Sequence, residues 1–255
     1  MEIYYFITFF IFRTIFGSFY NVVGYRLPKG ESLIHPPSHC PKCNHLLKYY
    51  ELIPIISFLL QGGKCRECKK KIPWFYPIFE TCCGILFALA YLSFGFNYEL
   101  VIALIFISMN IIVVLSDYRY MIIPDEVLIF FGIIILICIY SFFGFTKAYM
   151  SVLSGIYAFG IMFLIKLFGD FLFKKESMGG GDIKLMFIFG LVLGWKEAIL
   201  SIFIGSFIGL PISLYILNKK KSHIIPFGPF LSSGALIILL TQINFEWVIN
   251  ILTKI

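Results

Sequence analysis

Four stretches of this chain, 127–146, 148–165, 198–218 and 222–245, carry no charged side chain. Each is about long enough to cross a hydrocarbon core of ~30 Å as a helix rising ~1.5 Å per residue. Such helices would expose apolar surface on every side in water, so the pattern fixes the solvent before it fixes the fold. Composition agrees: 60% of the 255 residues are hydrophobic and 14% are charged, against about 45–50% and about 25% in soluble domains. A soluble enzyme is excluded. So is disorder, which needs low hydrophobicity and high charge.

More spans follow from the same criterion. Residues 77–116 carry only Glu80 and Glu99 as charges and divide at the turn-like Ser93-Phe94-Gly95-Phe96-Asn97. Residues 3–22 give another, with Arg13 inside it, and Leu185–Trp195 gives a run too short for a comfortable span. The expectation is an all-α polytopic membrane protein of about eight transmembrane helices. Its parts would be a first transmembrane helix over 1–22, a polar insertion over 23–74 and a membrane-embedded part over 75–255. Met1-Glu2-Ile3 lacks the basic start of a cleaved signal peptide, so the first stretch is expected to be retained.

Net charge is +7, and its distribution gives an orientation. If the insertion is cytoplasmic, eight spans place the loops near 117–126, 166–184 and 218–223 on the same side. All but four of the 21 basic residues then lie there, the exceptions being Arg13, Lys147, Lys196 and Lys254. This is the positive-inside pattern. It places both termini outside the cytoplasm and accounts for the charge through the lipid bilayer, with no nucleic-acid partner. Arg13 has no evident role.

Within the insertion, Cys40-Pro41-Lys42-Cys43 and Cys65-Arg66-Glu67-Cys68 stand 21 residues apart. Paired Cys-x-x-Cys knuckles suit a zinc ribbon, in which four thiolates hold Zn²⁺ tetrahedrally and leave no open position, a structural site. Two disulfides or free thiols are the other readings, and a reducing cytoplasm disfavours disulfides. Cys82, Cys83 and Cys138, in apolar spans, are read as buried small residues.

Carboxylates near spans are costly and are functional candidates. Asp125 and Glu126 follow Pro124 at a helix start, where acids are structurally favoured. Asp117, just after a span, has no such explanation. Asp182 follows Gly179-Gly180-Gly181, a backbone that another chain can approach closely; an N-cap is the alternative for it. The topology puts Asp117 and Asp182 at one membrane face. Two carboxylates meeting there could share a proton and act as base and acid. Asp170, near Lys166 and Lys174, reads as an interfacial charge. Glu80 reads equally as a buried functional acid or an interfacial residue.

Together these residues resemble the bacterial type IV prepilin peptidases, leader peptidases and N-methyltransferases of the Gly-x-Gly-Asp membrane aspartyl proteases. The resemblance runs through Gly17-Ser18-Phe19-Tyr20-Asn21, Tyr25-Arg26-Leu27-Pro28, the paired knuckles, Ile53-Pro54-Ile55-Ile56-Ser57-Phe58, Gly63-Lys64-Cys65-Arg66, Tyr76-Pro77-Ile78-Phe79-Glu80, the aspartate segment through Ile123-Pro124, Gly179–Asp182 with Lys184-Leu185, and Ile225-Pro226-Phe227-Gly228-Pro229-Phe230. It implies that Asp117 and Asp182 are the catalytic pair and that 75–255 is the protease domain. The implied substrates are prepilins or pseudopilins of type IV pilus, protein secretion or competence systems. Their short basic leader ends in Gly and is removed at the cytoplasmic face of the plasma membrane. The new N-terminus is then methylated from S-adenosylmethionine. Ile72-Pro73-Trp74-Phe75 departs from the family, which commonly has Ser and a basic residue before Tyr-Pro. No Gly-rich strand-to-helix fingerprint marks a methyl-donor site.

Two other classes compete. A proton-coupled transporter would use membrane acids and a broken helix, but it predicts internal repeats, which are absent. A zinc-ribbon assembly scaffold would have no need of the two aspartates.

Overall fold

The computed structural model describes residues 2–220 and 225–253 and divides into two units between Phe96 and Asn97. The side chain of Arg13, and all of Lys221 and Lys254, lie outside the described residues.

The first unit holds α1 (Glu2–Arg26), the short α2 (Ile56–Leu60) and α3 (Phe75–Phe94). α1 packs along α3. A Cβ on Gly84 would stand 2.7 Å from the Phe10 ring, so glycine sets how close the two helices come. Phe9 stacks on Tyr91, their ring centroids 5.2 Å apart. The first helix runs four residues beyond the expected 22, to Arg26, whose guanidinium donates to the Ser32 carbonyl (3.1 Å). Between α1 and α3 the chain forms two 3-10 turns, α2 and two isolated β-bridges; there is no β-strand among the described residues.

The second unit holds α4 (Tyr98–Tyr120), α5 (Asp125–Phe173), α6 (Gly180–Leu193), α7 (Trp195–Lys220), α8 (Gly228–Thr241) and α9 (Phe245–Leu252). α4 is the central helix: 72% of its apolar stretch is buried, against 39% or less in the other membrane-length helices. Two of its buried polar side chains turn back on their own helix, Asn110 Nδ2 to the Phe106 carbonyl (2.9 Å) and Ser108 Oγ to the Leu104 carbonyl (2.7 Å). Outer surfaces carry large exposed apolar side chains such as Phe130, Phe171 and Phe207. That arrangement suits lipid rather than water.

Small residues let the helices close on one another. A Cβ on Gly190 would stand 2.5 Å from the Ser154 carbonyl oxygen, and one on Gly155 2.8 Å from that of Phe187, at the α5–α6 contact. Gly205 and Gly234 do the same between α7 and α8. With no hydrophobic drive between helices in lipid, such close backbone approach is how they bind.

Among the described residues, four helices, α3, α4, α5 and α7 over Trp195–Ile216, are long and apolar enough to cross a membrane. Several sequence expectations are corrected in detail. The runs 127–146 and 148–165 belong to one 49-residue helical element broken at Gly144 (φ 81°, ψ 177°), not at Lys147. The short apolar helix starts at Gly180, five residues before Leu185. α9 was not anticipated. Of the three span cysteines, Cys83 is buried, Cys138 is partly exposed and Cys82 is exposed on the helix surface.

Candidate active site

Asp117 lies in the last turn of α4. The helix stops because Met121 takes a left-handed conformation (φ 57°), its N–H donating to the Asp117 carbonyl (2.8 Å). Ser116 Oγ then donates to the Ile122 carbonyl (2.5 Å) and closes the turn. Pro124, which cannot continue a preceding helix, becomes the N-cap of α5, with Asp125 and Glu126 in its first turn. Asp125 pairs with Lys184 of α6 at 2.6 Å, both half-exposed. It has the structural use expected of it.

The Asp117 side chain is only 6% exposed, counted over the residue. Its Oδ2 accepts the N–H of Gly228 at 2.9 Å. Gly228 opens α8, and a Cβ there would stand 2.6 Å from that oxygen. Only glycine lets the backbone meet the carboxylate.

Asp182 is the third residue of α6, 7% exposed. The N-cap is Gly179, so the N-cap alternative for Asp182 is corrected: its carboxylate turns back toward the Gly179 N–H from inside the first turn. Asp117 and Asp182 come near enough for their charges to interact. Ile123, from the α4–α5 turn, joins the two sides. A Cβ on Gly181 would stand 2.8 Å from Ile123 Cβ, and one on Gly228 3.3 Å from its Cδ1. Gly179 makes ordinary contact distance with Asp182 Oδ2, and Gly180 faces open space. Gly181 is therefore the glycine of the three on which the close approach depends. Asp170 is held apart from this group, accepting the Ser177 N–H (2.6 Å) and hydroxyl (2.8 Å).

The four cysteines of the insertion also converge, in the first unit. Cys40 and Cys68 Sγ are 3.9 Å apart, as are Cys43 and Cys65, and all four sulfurs lie within 4.8 Å of one another. A tetrahedron with metal–sulfur bonds of ~2.3 Å has edges of ~3.8 Å, so the donor set fits a tetrahedral thiophilic ion. The two knuckles are copies of one turn. Asn44 and Lys69 follow the second cysteine of each with φ 56°, and their N–H groups donate to the Cys40 and Cys65 carbonyls (2.9 and 3.0 Å). The Lys42 N–H beside it draws the Cys40 thiol down to about 6.

Sequence reasoning did not single out Glu51, whose side chain is 1% exposed. Its Oε2 accepts the Lys48 N–H (3.0 Å) and faces His45 Nε2 (3.2 Å), while Arg66 Nε lies 3.6 Å from Oε1. His45 follows the first knuckle and Arg66 belongs to the second, so one carboxylate braces both. The Lys48 N–H, then His45 and Arg66, hold it below the usual carboxylate range. Glu80, left open above, accepts the Ile55 N–H at 2.9 Å. Ile55 has φ 60° and ψ −54°, with the Ile56 N–H 2.5 Å from the Pro54 carbonyl. This is a γ-turn of the strained kind at a β-branched residue. Ile123 and Gly228 were likewise legible only as parts of motifs.

Comparison with known proteins bears on both regions. Residues 11–94 match the bacterial peptidase A24 N-terminal domain, and residues 104–214 match the type IV leader peptidase family. A prepilin leader peptidase/N-methyltransferase of Bacillus subtilis (strain 168) is 38% identical over 234 residues, 89% of this chain and 91% of the relative. Proteins of that name from Pseudomonas aeruginosa and Neisseria gonorrhoeae are 32% and 30% identical, covering 88% and 87% of this chain and 86% and 85% of their own. No solved structure matches. With helices fit to cross a membrane and a match that spans most of both chains, this chain belongs to the type IV leader peptidase family.

Proposed function

We propose that the chain is a prepilin peptidase, a membrane aspartyl endopeptidase that removes the short basic leader of prepilin-like proteins after Gly and N-methylates the new N-terminus. The observation that carries the protease reading is the pair of buried carboxylates, Asp117 and Asp182, brought together from separate helices. Two carboxylates at close range share one proton. The ionised member takes a proton from water as its oxygen attacks the Gly carbonyl carbon. The protonated member gives its proton to the carbonyl oxygen. The tetrahedral adduct then collapses, the C–N bond breaks, and the amine leaves with a proton returned by the pair. The Gly228 N–H holds Asp117 in place for this exchange. Gly181 lets α6 come up against the turn that carries Asp117.

The membrane arrangement that suits this reading has about eight spans, the active site at the cytoplasmic face of the plasma membrane and both termini outside. Proteolysis is carried by the membrane-embedded 75–255. The insertion, 23–74, holds a structural Zn²⁺ on Cys40, Cys43, Cys65 and Cys68, whose sulfur separations fit it. S-adenosylmethionine, when bound, would supply the methyl group that the new amine takes up in exchange for a proton.

The test presents purified protein with a peptide that has a basic leader, a Gly-Phe junction and an apolar helix. Mass spectrometry is expected to find cleavage after Gly, and a mature product about 14 Da heavier when S-adenosylmethionine is present. Cleavage elsewhere, or none, contradicts the protease reading. Cleavage without the mass increase contradicts methylation alone.

A further inference from the structure

The methyltransferase half of that reading needs a place for its donor. Within the first unit is a cavity of about 440 Å³, inside the size range of small-molecule sites. One wall is the end of α1, with Tyr25 and Arg26; another is the start of α3, with Tyr76 and Glu80; the insertion supplies the rest, including Glu51. Its lining is unlike that of two other cavities among the described residues, about 640 and 430 Å³, which present no carboxylate.

Two acids face this space with bonding capacity in hand. Glu51 Oε1 is buried without a hydrogen bond, the nearest cation being Arg66 Nε at 3.6 Å. Glu80 uses Oε2 on the Ile55 N–H, and among the described residues nothing bonds to its Oε1. A buried carboxylate oxygen left without a partner is costly, so Glu51 favours a group that brings positive charge or a hydroxyl donor, while Arg26, Lys42, Lys70 and Lys71 in the same lining favour an anionic group. The strained Ile55 turn lies in the same wall, tied down by Glu80. Strain of this kind persists where the surroundings fix it, often at ligand sites.

We infer that this cavity binds S-adenosylmethionine, resting on the methyltransferase reading above. The donor carries a sulfonium and an ammonium, which suit Glu80 and Glu51. It carries a carboxylate, which suits Arg26, and a purine, for which the Tyr25 and Tyr76 rings offer flat apolar faces. The cavity lies where the end of α1 and the start of α3 meet the polar insertion.

The test is direct binding. Equilibrium dialysis of radiolabelled S-adenosylmethionine is measured on detergent-purified wild type, Glu80→Gln and Arg26→Ala, with metal content and elution volume as fold controls. Glu80→Gln keeps an acceptor for the Ile55 N–H while removing the charge. It is expected to weaken binding at least about ten-fold, the loss of one charge-assisted hydrogen bond, and Arg26→Ala by a similar factor. A photoreactive analogue is expected to label peptides containing Tyr25 or Tyr76. Unchanged affinity in both folded variants, or labelling confined to other segments, overturns the site and leaves methylation standing. Wild type that neither binds the donor nor methylates cleaved product overturns the methyltransferase reading and the site with it.

Discussion

The cysteine cluster and the aspartate pair are each assembled from two segments, but by different means. Cys40 and Cys65 open two copies of one turn, joined by short stretches with little apolar core and braced by Glu51. Asp117 and Asp182 stand far apart in the chain, at the end of one helix and the start of another. They meet because α4, α5, α6 and α8 pack around them through close glycine contacts. The first arrangement has little apolar core of its own, and its four converging sulfurs are spaced to take an ion as their common centre. The second is held by helix packing. The two should therefore fail separately.

The largest effect is expected at the pair. Asp117→Asn and Asp182→Asn should each lower leader cleavage by about 10²–10⁴-fold or more, the range for a lost acid or base, while bound metal stays at the wild-type level. Next comes the metal. Cys40→Ser, or strong chelation, should release the ion and open 23–74 to limited proteolysis, because metal binding in small sites is folding energy of about 10 kcal/mol or more. Segment 23–74 remaining as resistant as in wild type would break the contrast.

Gly228→Ala should cost about 100-fold in cleavage, since a Cβ 2.6 Å from Asp117 Oδ2 forces the carboxylate aside and misplacement by about 1 Å can cost that much. Gly190→Ala, away from the chemistry, should instead lower stability by about 1–3 kcal/mol, read as a drop in the unfolding temperature in detergent. The smallest effect belongs to Lys184→Ala. It removes a half-exposed ion pair to Asp125 and should change stability by no more than about 1 kcal/mol.

What was legible in the chain follows the same division. Uncharged runs report burial in lipid one residue at a time, so the long apolar helices of the second unit could be read directly, though not the short α9. The knuckles could be read because metal geometry dictates their spacing. The break at Gly144 could not, because a left-handed φ leaves no mark in charge or hydropathy, and Lys147 offered a more visible boundary. Glu51 went unnoticed, and Gly228 was legible only within a motif, for a related reason. Each has meaning only through what folding brings against it: His45 and Arg66 in one case, the Asp117 carboxylate in the other. That Asp182 lies within its helix rather than capping it also depends on where Gly179 ends the loop.

The central claim is that Asp117 and Asp182 act as one unit. The most direct measurement compares residual leader cleavage in Asp117→Asn, Asp182→Asn and the double variant, all inserted and metal-loaded. Residues that act together are non-additive. The account predicts that the double variant falls no lower than either single. Near-wild-type cleavage in either single variant, or a double loss equal to the product of two partial ones, would contradict it.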